Sequence, residues 1–175
     1  MKFYTIFPIV LAGFMALNFA KAEDNVHFSG ALVSEPCTLP DIDTDIHVDF
    51  GSVIVKYLYQ YQRTKSQPFT IHLEDCDPDV MKTVSVTFEG SADDELVDML
   101  ALDPASSAKG VAIGLEDSKG TPIALNKPGD VYYLDHGSNA LKFNAYVQAS
   151  SIAISKNEIV AGDFSAISTF VLNYQ

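Results

Sequence analysis

Tryptophan is absent from the 175 residues, cysteine occurs only twice, and 11 basic side chains face 23 acidic ones. Each shortage removes a class of protein. A formal charge of −12 argues against phosphate-backbone binding, which needs clustered Lys and Arg. It argues equally against docking on anionic lipid. Catalytic signatures are missing too: there is no G-x-S-x-G, no H-E-x-x-H and no phosphate-binding loop. At ~150 residues per domain the length allows one domain or two small ones, and no large α/β barrel. What is present is an ordinary globular share of apolar residues, 47%, enough to exclude wholesale disorder.

The one long apolar run lies at the N-terminus. Lys2 is followed by a stretch from Ile6 to Leu17, interrupted by Pro8 and Gly13, and then by Ala20-Lys21-Ala22. A positive start, a short apolar centre and small residues at an A-x-A cut describe a secretory signal peptide over residues 1–22. A membrane anchor would need a span of ~20 apolar residues. The mature chain is expected to start at Glu23 and to be more acidic still, because Lys2 and Lys21 leave with the leader. No later segment is apolar enough to enter a bilayer.

In an exported chain an isolated pair of cysteines, Cys37 and Cys76, is most simply one disulfide. Neither sits in a C-x-x-C or near a His at ligand spacing, as a zinc site or a catalytic thiol would ask. Closing a loop of about 40 residues is worth ~4 kcal/mol of unfolded-chain entropy. Of His27, His47, His72 and His136, three fall at polar positions of alternating runs, where exposure is expected rather than a ligand or base. Asp41-Ile42-Asp43-Thr44-Asp45 imitates the opening of a calcium loop. The required Gly and distal Glu do not follow, since Ile46 and Ser52 stand there, and the segment reads as a solvated acidic loop. Asp75, Asp77 and Asp79 read as turn formers. No catalytic residue, metal or cofactor is assigned, and the chain is not expected to be an enzyme.

Alternation with period two recurs from end to end, each run with one face to bury. The runs are Val26/Phe28/Gly30/Leu32, Ile46/Val48/Phe50, Phe69/Ile71/Leu73, Val84/Val86/Phe88, Val111/Ile113/Leu115, Leu141/Phe143/Ala145/Val147 and Phe170/Leu172/Tyr174. Turn chemistry separates them: Asp77-Pro78, Asp103-Pro104, Lys119-Gly120, Lys127-Pro128-Gly129-Asp130 and His136-Gly137. Asp93 to Leu102 carries acids in its first turn and Leu96 and Leu100 four apart, which predicts a short helix. Short strands with one disulfide predict a β-sandwich of immunoglobulin type, with no break in composition to mark a second domain.

The two ends carry the functional signal. An arm, Glu23-Asp24-Asn25, leads into Val26-His27-Phe28-Ser29-Gly30-Ala31-Leu32-Val33 and then Glu35-Pro36-Cys37. The sequence closes in an alternating strand, Ser168 to Gln175, with Tyr174 penultimate and Gly162 fourteenth from the end. Phe50-Gly51-Ser52-Val53, Phe69-x-Ile71-x-Leu73-x-x-Cys76-Asp77, Val84-x-Val86-x-Phe88-x-Gly90, Gly110-Val111-x-Ile113-x-Leu115 and Phe143-x-Ala145-Tyr146 lie between them in order. In this order and spacing the chain resembles the pilins of chaperone–usher pili, in particular the type 1 fimbrial subunit family. Three neighbouring tyrosines, Tyr57, Tyr59 and Tyr61, and the high acidity depart from that pattern.

The resemblance implies an all-β, incomplete immunoglobulin-like sandwich that lacks its last strand. It implies a leader at 1–22, a donor-strand extension at 23–34 and a pilin domain at 35–175. A periplasmic chaperone would lend the missing strand, and at an outer-membrane usher the arm of the next subunit would replace it. The donor residues would be Val26, Phe28, Gly30 and Leu32; the acceptor groove would involve Gly162, Phe170, Leu172 and Tyr174. Each backbone bond gained is worth ~0.5–1.5 kcal/mol net. Burying Val26, Phe28 and Leu32 together is worth ~5–9 kcal/mol. Partners would be chaperone, usher and neighbouring pilin subunits, and the destination the bacterial surface. Two readings stay open: Val26–Leu32 as the domain's own first strand, and a monomeric secreted or periplasmic sandwich that binds a small ligand or ion.

Overall fold

Alternating runs become strands where a neighbouring run of matching length lies alongside. A computed structural model describes Phe28, Ser29, Leu32 and residues 34–175. The chain divides into the units Met1–Val33 and Ser34–Gln175, and the second carries the fold. Its strands are β1 (Gln67–Cys76), β2 (Thr83–Glu89), β3 (Val111–Asp117), β4 (Pro122–Ile123), β5 (Pro128–Tyr133), β6 (Gly137–Ala149) and β7 (Thr169–Tyr174). They form two sheets, β1-β6-β3-β4 and β5-β2-β7, in which every pair is antiparallel.

The inward faces of the two sheets make the core. Ile71 and Leu73 of β1, Val84, Val86 and Phe88 of β2, and Leu141, Phe143 and Val147 of β6 are buried. Phe143 is the centre: its ring lies 5.1 Å from Phe88 and 5.7 Å from Phe69. Fully burying one such side chain is worth ~1.5–3 kcal/mol. Cys37 and Cys76 are bonded, 39 residues apart in sequence, and tie the start of the domain to the end of β1. On the outer face of the first sheet, the guanidinium of Arg63 lies 3.4 Å from the Tyr146 ring centre and 2.9 Å from Glu116. A Cβ at Gly114 would stand 2.3 Å from that tyrosine ring, so only glycine lets the ring lie flat there.

Three sequence expectations change. Asp93 to Leu102 is not a helix. The Asp93 carboxylate accepts the N–H groups of Glu95 and Leu96, a local turn that competes with helix, and Leu100 exchanges both backbone bonds with Ile113 of β3. Lys127-Pro128-Gly129-Asp130 is not only a turn, because β5 begins at Pro128. Third, Ile46, Val48 and Phe50 keep the expected alternation, partly buried beside exposed His47 and Asp49, yet form no strand.

Two short α-helices, α1 (Val55–Tyr61) and α2 (Ser151–Lys156), and one 3-10 turn at Asp41–Asp43 accompany the sandwich. The tyrosines spaced by two fall on α1, where Tyr57 and Tyr61 meet at 4.4 Å, as i, i+4 neighbours do. The Tyr59 hydroxyl accepts the Ile159 N–H, and Leu58 fills the core. Ser150 caps α2 through the Ala153 N–H at 3.0 Å, and Asn157 ends it in the left-handed conformation. Both helices sit at the end of the sandwich where β1, β3 and β7 begin. The disulfide, the Asp77–Val80 turn and the C-terminal residue share the opposite end.

Candidate functional site

A sheet edge with unpaired backbone groups invites another strand, and proteins usually blunt such edges. β4 is two residues long and starts with Pro122. β5 carries Pro128 and Asp130, and its pairing with β2 shifts register between Ser85 and Thr87. Along β1, Thr38 pairs with Glu74. The Asp43 carboxylate then takes both the backbone N–H and the ring Nδ1 of His72, so the half of that edge nearer Cys76 is covered. β7, Thr-Phe-Val-Leu-Asn-Tyr, has no charge, no proline and no bulge. It pairs with β2 along one side, and among the described residues no strand pairs with its other side.

The register fixes which groups face the open side. Gln175 and Thr83 exchange both backbone bonds at 2.9 Å, so they form a hydrogen-bonded pair. In an antiparallel ladder such pairs alternate with non-bonded ones. Asn173 opposite Ser85, Val171 opposite Thr87 and Thr169 opposite Glu89 therefore spend their backbone groups on β2. Phe170, Leu172 and Tyr174 face Phe88, Val86 and Val84 without exchanging bonds. Their N–H and C=O groups point to the open edge, while their side chains point to the core. The same three residues thus offer the backbone of an open edge and side chains packed, half covered, on the core.

Other half-covered apolar residues come from distant sequence. Phe170, Leu172 and Tyr174 are partly buried and packed on the core, and Ile46, Val48, Phe50, Phe164 and Ala166 are in the same condition. Phe50 and Phe164 stand 6.2 Å apart between ring centres. This half-covered apolar lining is what a sandwich shows where one strand is wanting. Burial raises the Tyr174 phenol above its ordinary value, and the nearby Glu35 carboxylate adds to the shift.

Phe170, Leu172 and Tyr174 are brought together along β7. Gly162 is not on that strand. It lies in the segment before it, where a Cβ would stand 2.4 Å from Ser107 Oγ and 2.9 Å from the Ala108 N. Its role is close approach to the 107–108 backbone, from which the segment runs on toward Phe164. Of the arm residues, Phe28 and Leu32 are exposed, while Val26 and Gly30 lie outside the described residues, as does the leader. Sequence reasoning missed Phe164 and Ala166, which no alternating run marks. Among the described residues no group of three or more His, Cys, Asp or Glu could hold a metal ion, and no helix is long and apolar enough to cross a membrane.

Comparison with known proteins agrees with this geometry. The family described as "Fimbrial protein" matches residues 26–175. The chain is 31% identical over 179 residues to Fimbria A protein of Serratia marcescens, covering all of both chains. It is 35% identical over 167 residues to the Major MR/P fimbria protein of Proteus mirabilis, covering 95% of this chain and 91% of that one. The solved P pilus rod subunit PapA superposes with a TM-score of 0.70 at 27% identity, over 81% of this chain and all of that one. The chain belongs to the fimbrial protein family of structural pilus subunits.

Proposed function

We propose that the groove along β7 accepts the arm of another subunit, so that the protein polymerises into a surface fimbria by exchange of donor strands. The observation that carries this reading is the coincidence on Phe170, Leu172 and Tyr174 of outward backbone groups and inward side chains. A β-strand laid beside them gains a ladder on one side and a groove for alternate side chains. Residues 23–34 have the required pattern, with Val26, Phe28 and Leu32 on one face and Gly30 sharing it. Until the arm arrives, the open edge is an aggregation hazard, which gives a periplasmic chaperone its purpose. Residues 1–22 direct export, and an outer-membrane usher is where the lent strand is exchanged. No reaction is catalysed.

The test is completion in trans. A subunit lacking residues 23–33 is expected to stay folded when bound to its chaperone, with Cys37–Cys76 formed. A synthetic peptide of residues 23–34 is expected to raise its thermal midpoint once the chaperone is removed. A deletion that unfolds the domain, with no response to peptide, would make Val26–Leu32 an ordinary first strand and end the polymerisation reading.

A further inference from the structure

Beyond the groove, at the end where β7 begins, lies a cavity of about 220 Å³. Phe50, Val53, Ile54, Tyr57, Thr64 and Lys65 line it. Phe50 lines this pocket and also meets Phe164, which sets the pocket beside the segment that leads into β7. The lining mixes apolar Phe50, Val53, Ile54 and Tyr57 with polar Ser52, Thr64 and Gln67, and Lys65 is the charged side chain in it. Ile54 is 67% exposed there, an apolar cost that a partner would remove.

The arm itself says what reaches this place. Every strand pair of the sandwich is antiparallel, the more stable arrangement per residue. An arm antiparallel to β7 leaves the groove with its C-terminal end beside Thr169, at the end where Phe164 meets Phe50. Leu32 is the last inward residue of the arm. Glu35 follows three residues on, roughly 10 Å in extended chain, and Pro36 holds that stretch extended. Glu35 is exposed at the disulfide end of its own subunit, beside exposed Glu74, Asp75, Asp77 and Asp79. Exposed Lys56 and Lys65 stand on the α1 side of the pocket, and the nearby Asp49 carboxylate is already taken by the Gly51 N–H at 2.7 Å.

We propose that the pocket receives the Glu35 carboxylate of the next copy in the fibre and pairs it with Lys65. The pair fixes the register at which the arm seats and brings the acidic disulfide end of one subunit against the α1 end of the other. This rests on the donor-strand reading and adds a determinant outside the groove.

The experiment uses the mature protein held by its chaperone and follows displacement of the chaperone by two peptides. Peptide 23–32 ends before Glu35; peptide 23–36 includes it. Lys65→Glu is expected to slow displacement by peptide 23–36 roughly three- to tenfold, the range of a partly exposed charge pair. Peptide 23–32 should act on the variant as on the parent, which also shows that the variant is folded. A 23–36 peptide carrying Glu35→Lys should restore the rate on Lys65→Glu, and the difference should shrink at high salt. Equal effects of Lys65→Glu on both peptides, or none on either, would overturn the pairing and leave the donor-strand reading standing. Failure of both peptides on the parent protein would bring down that reading and the pairing with it.

Discussion

β5 and β7 flank the same strand, β2, and form the two edges of one sheet, but they are built to opposite ends. β5 opens with Pro128, carries Asp130 and shifts register against β2. Its outward side chains include Val131 and Tyr133, both exposed. β7 has neither charge nor proline, keeps an unbroken register over six residues, and turns its large side chains inward. An edge that only needs to be safe is interrupted; an edge that needs a partner is kept regular. Regularity on β7 is what the donor-strand proposal requires, and nothing in the subunit's own pairing requires it on the open side.

The contrast can be broken most sharply with a single charge. Leu172→Glu places a carboxylate on the groove face and is expected to abolish arm capture, measured as loss of peptide-induced thermal stabilisation. Burying an unpaired charge costs several kcal/mol. Val131→Glu on β5 should leave capture unchanged. Next in size is the converse change. Pro128→Val with Asp130→Val removes the proline and the charge from β5, and light scattering should then show self-association of the arm-complemented subunit through the wrong edge.

Glycine substitutions give smaller effects. Gly129→Ala meets the Val86 carbonyl oxygen at 2.8 Å, and Gly162→Ala meets the 107–108 backbone at 2.9 Å. Each is expected to lower stability by ~1–3 kcal/mol in denaturant unfolding. Gly162→Ala should also weaken arm capture, because its segment carries Phe164 to the groove; Gly129→Ala should not. Smallest is a pH effect. Tyr132, Tyr146 and Tyr174 are all shifted upward by burial. The unfolded phenols therefore ionise first, and stability is full below about pH 10 and declines above it. Arm binding should bury Tyr174 further and move its ultraviolet titration higher still.

Much of the sandwich was legible because pairing and burial agree in β1, β2, β3, β6 and β7. Their alternating residues are the ones that meet in the core, as with Ile71, Val86, Phe143 and Val147. Elsewhere local signals competed. Pro128-Gly129 signals a turn, and it does start an edge strand directly after one. Tyr57, Tyr59 and Tyr61 have strand spacing, yet Leu58 is the residue that the core takes, and a helix results. Asp93 spends its carboxylate on a turn, so acids ahead of Leu96 and Leu100 do not start a helix. Ile46, Val48 and Phe50 show the limit most clearly: their facing is encoded locally, but a ladder needs a neighbour, and the described chain places none there. For the site, the parity of Phe170, Leu172 and Tyr174 can be read from the last eight residues. That their backbone groups are also the free ones depends on the Thr83–Gln175 register, which no local pattern contains.

Amide hydrogen exchange on β7 reads directly which of its backbone groups are free. In a subunit lacking residues 23–33, the N–H groups of Val171, Asn173 and Gln175 should be protected by β2, while those of Phe170, Leu172 and Tyr174 exchange freely. Adding the 23–34 peptide should protect the second set and leave the first as it was. Protection of Phe170, Leu172 and Tyr174 before the peptide is added, or continued free exchange when it is saturating, would mean that β7 is not the edge that takes the arm.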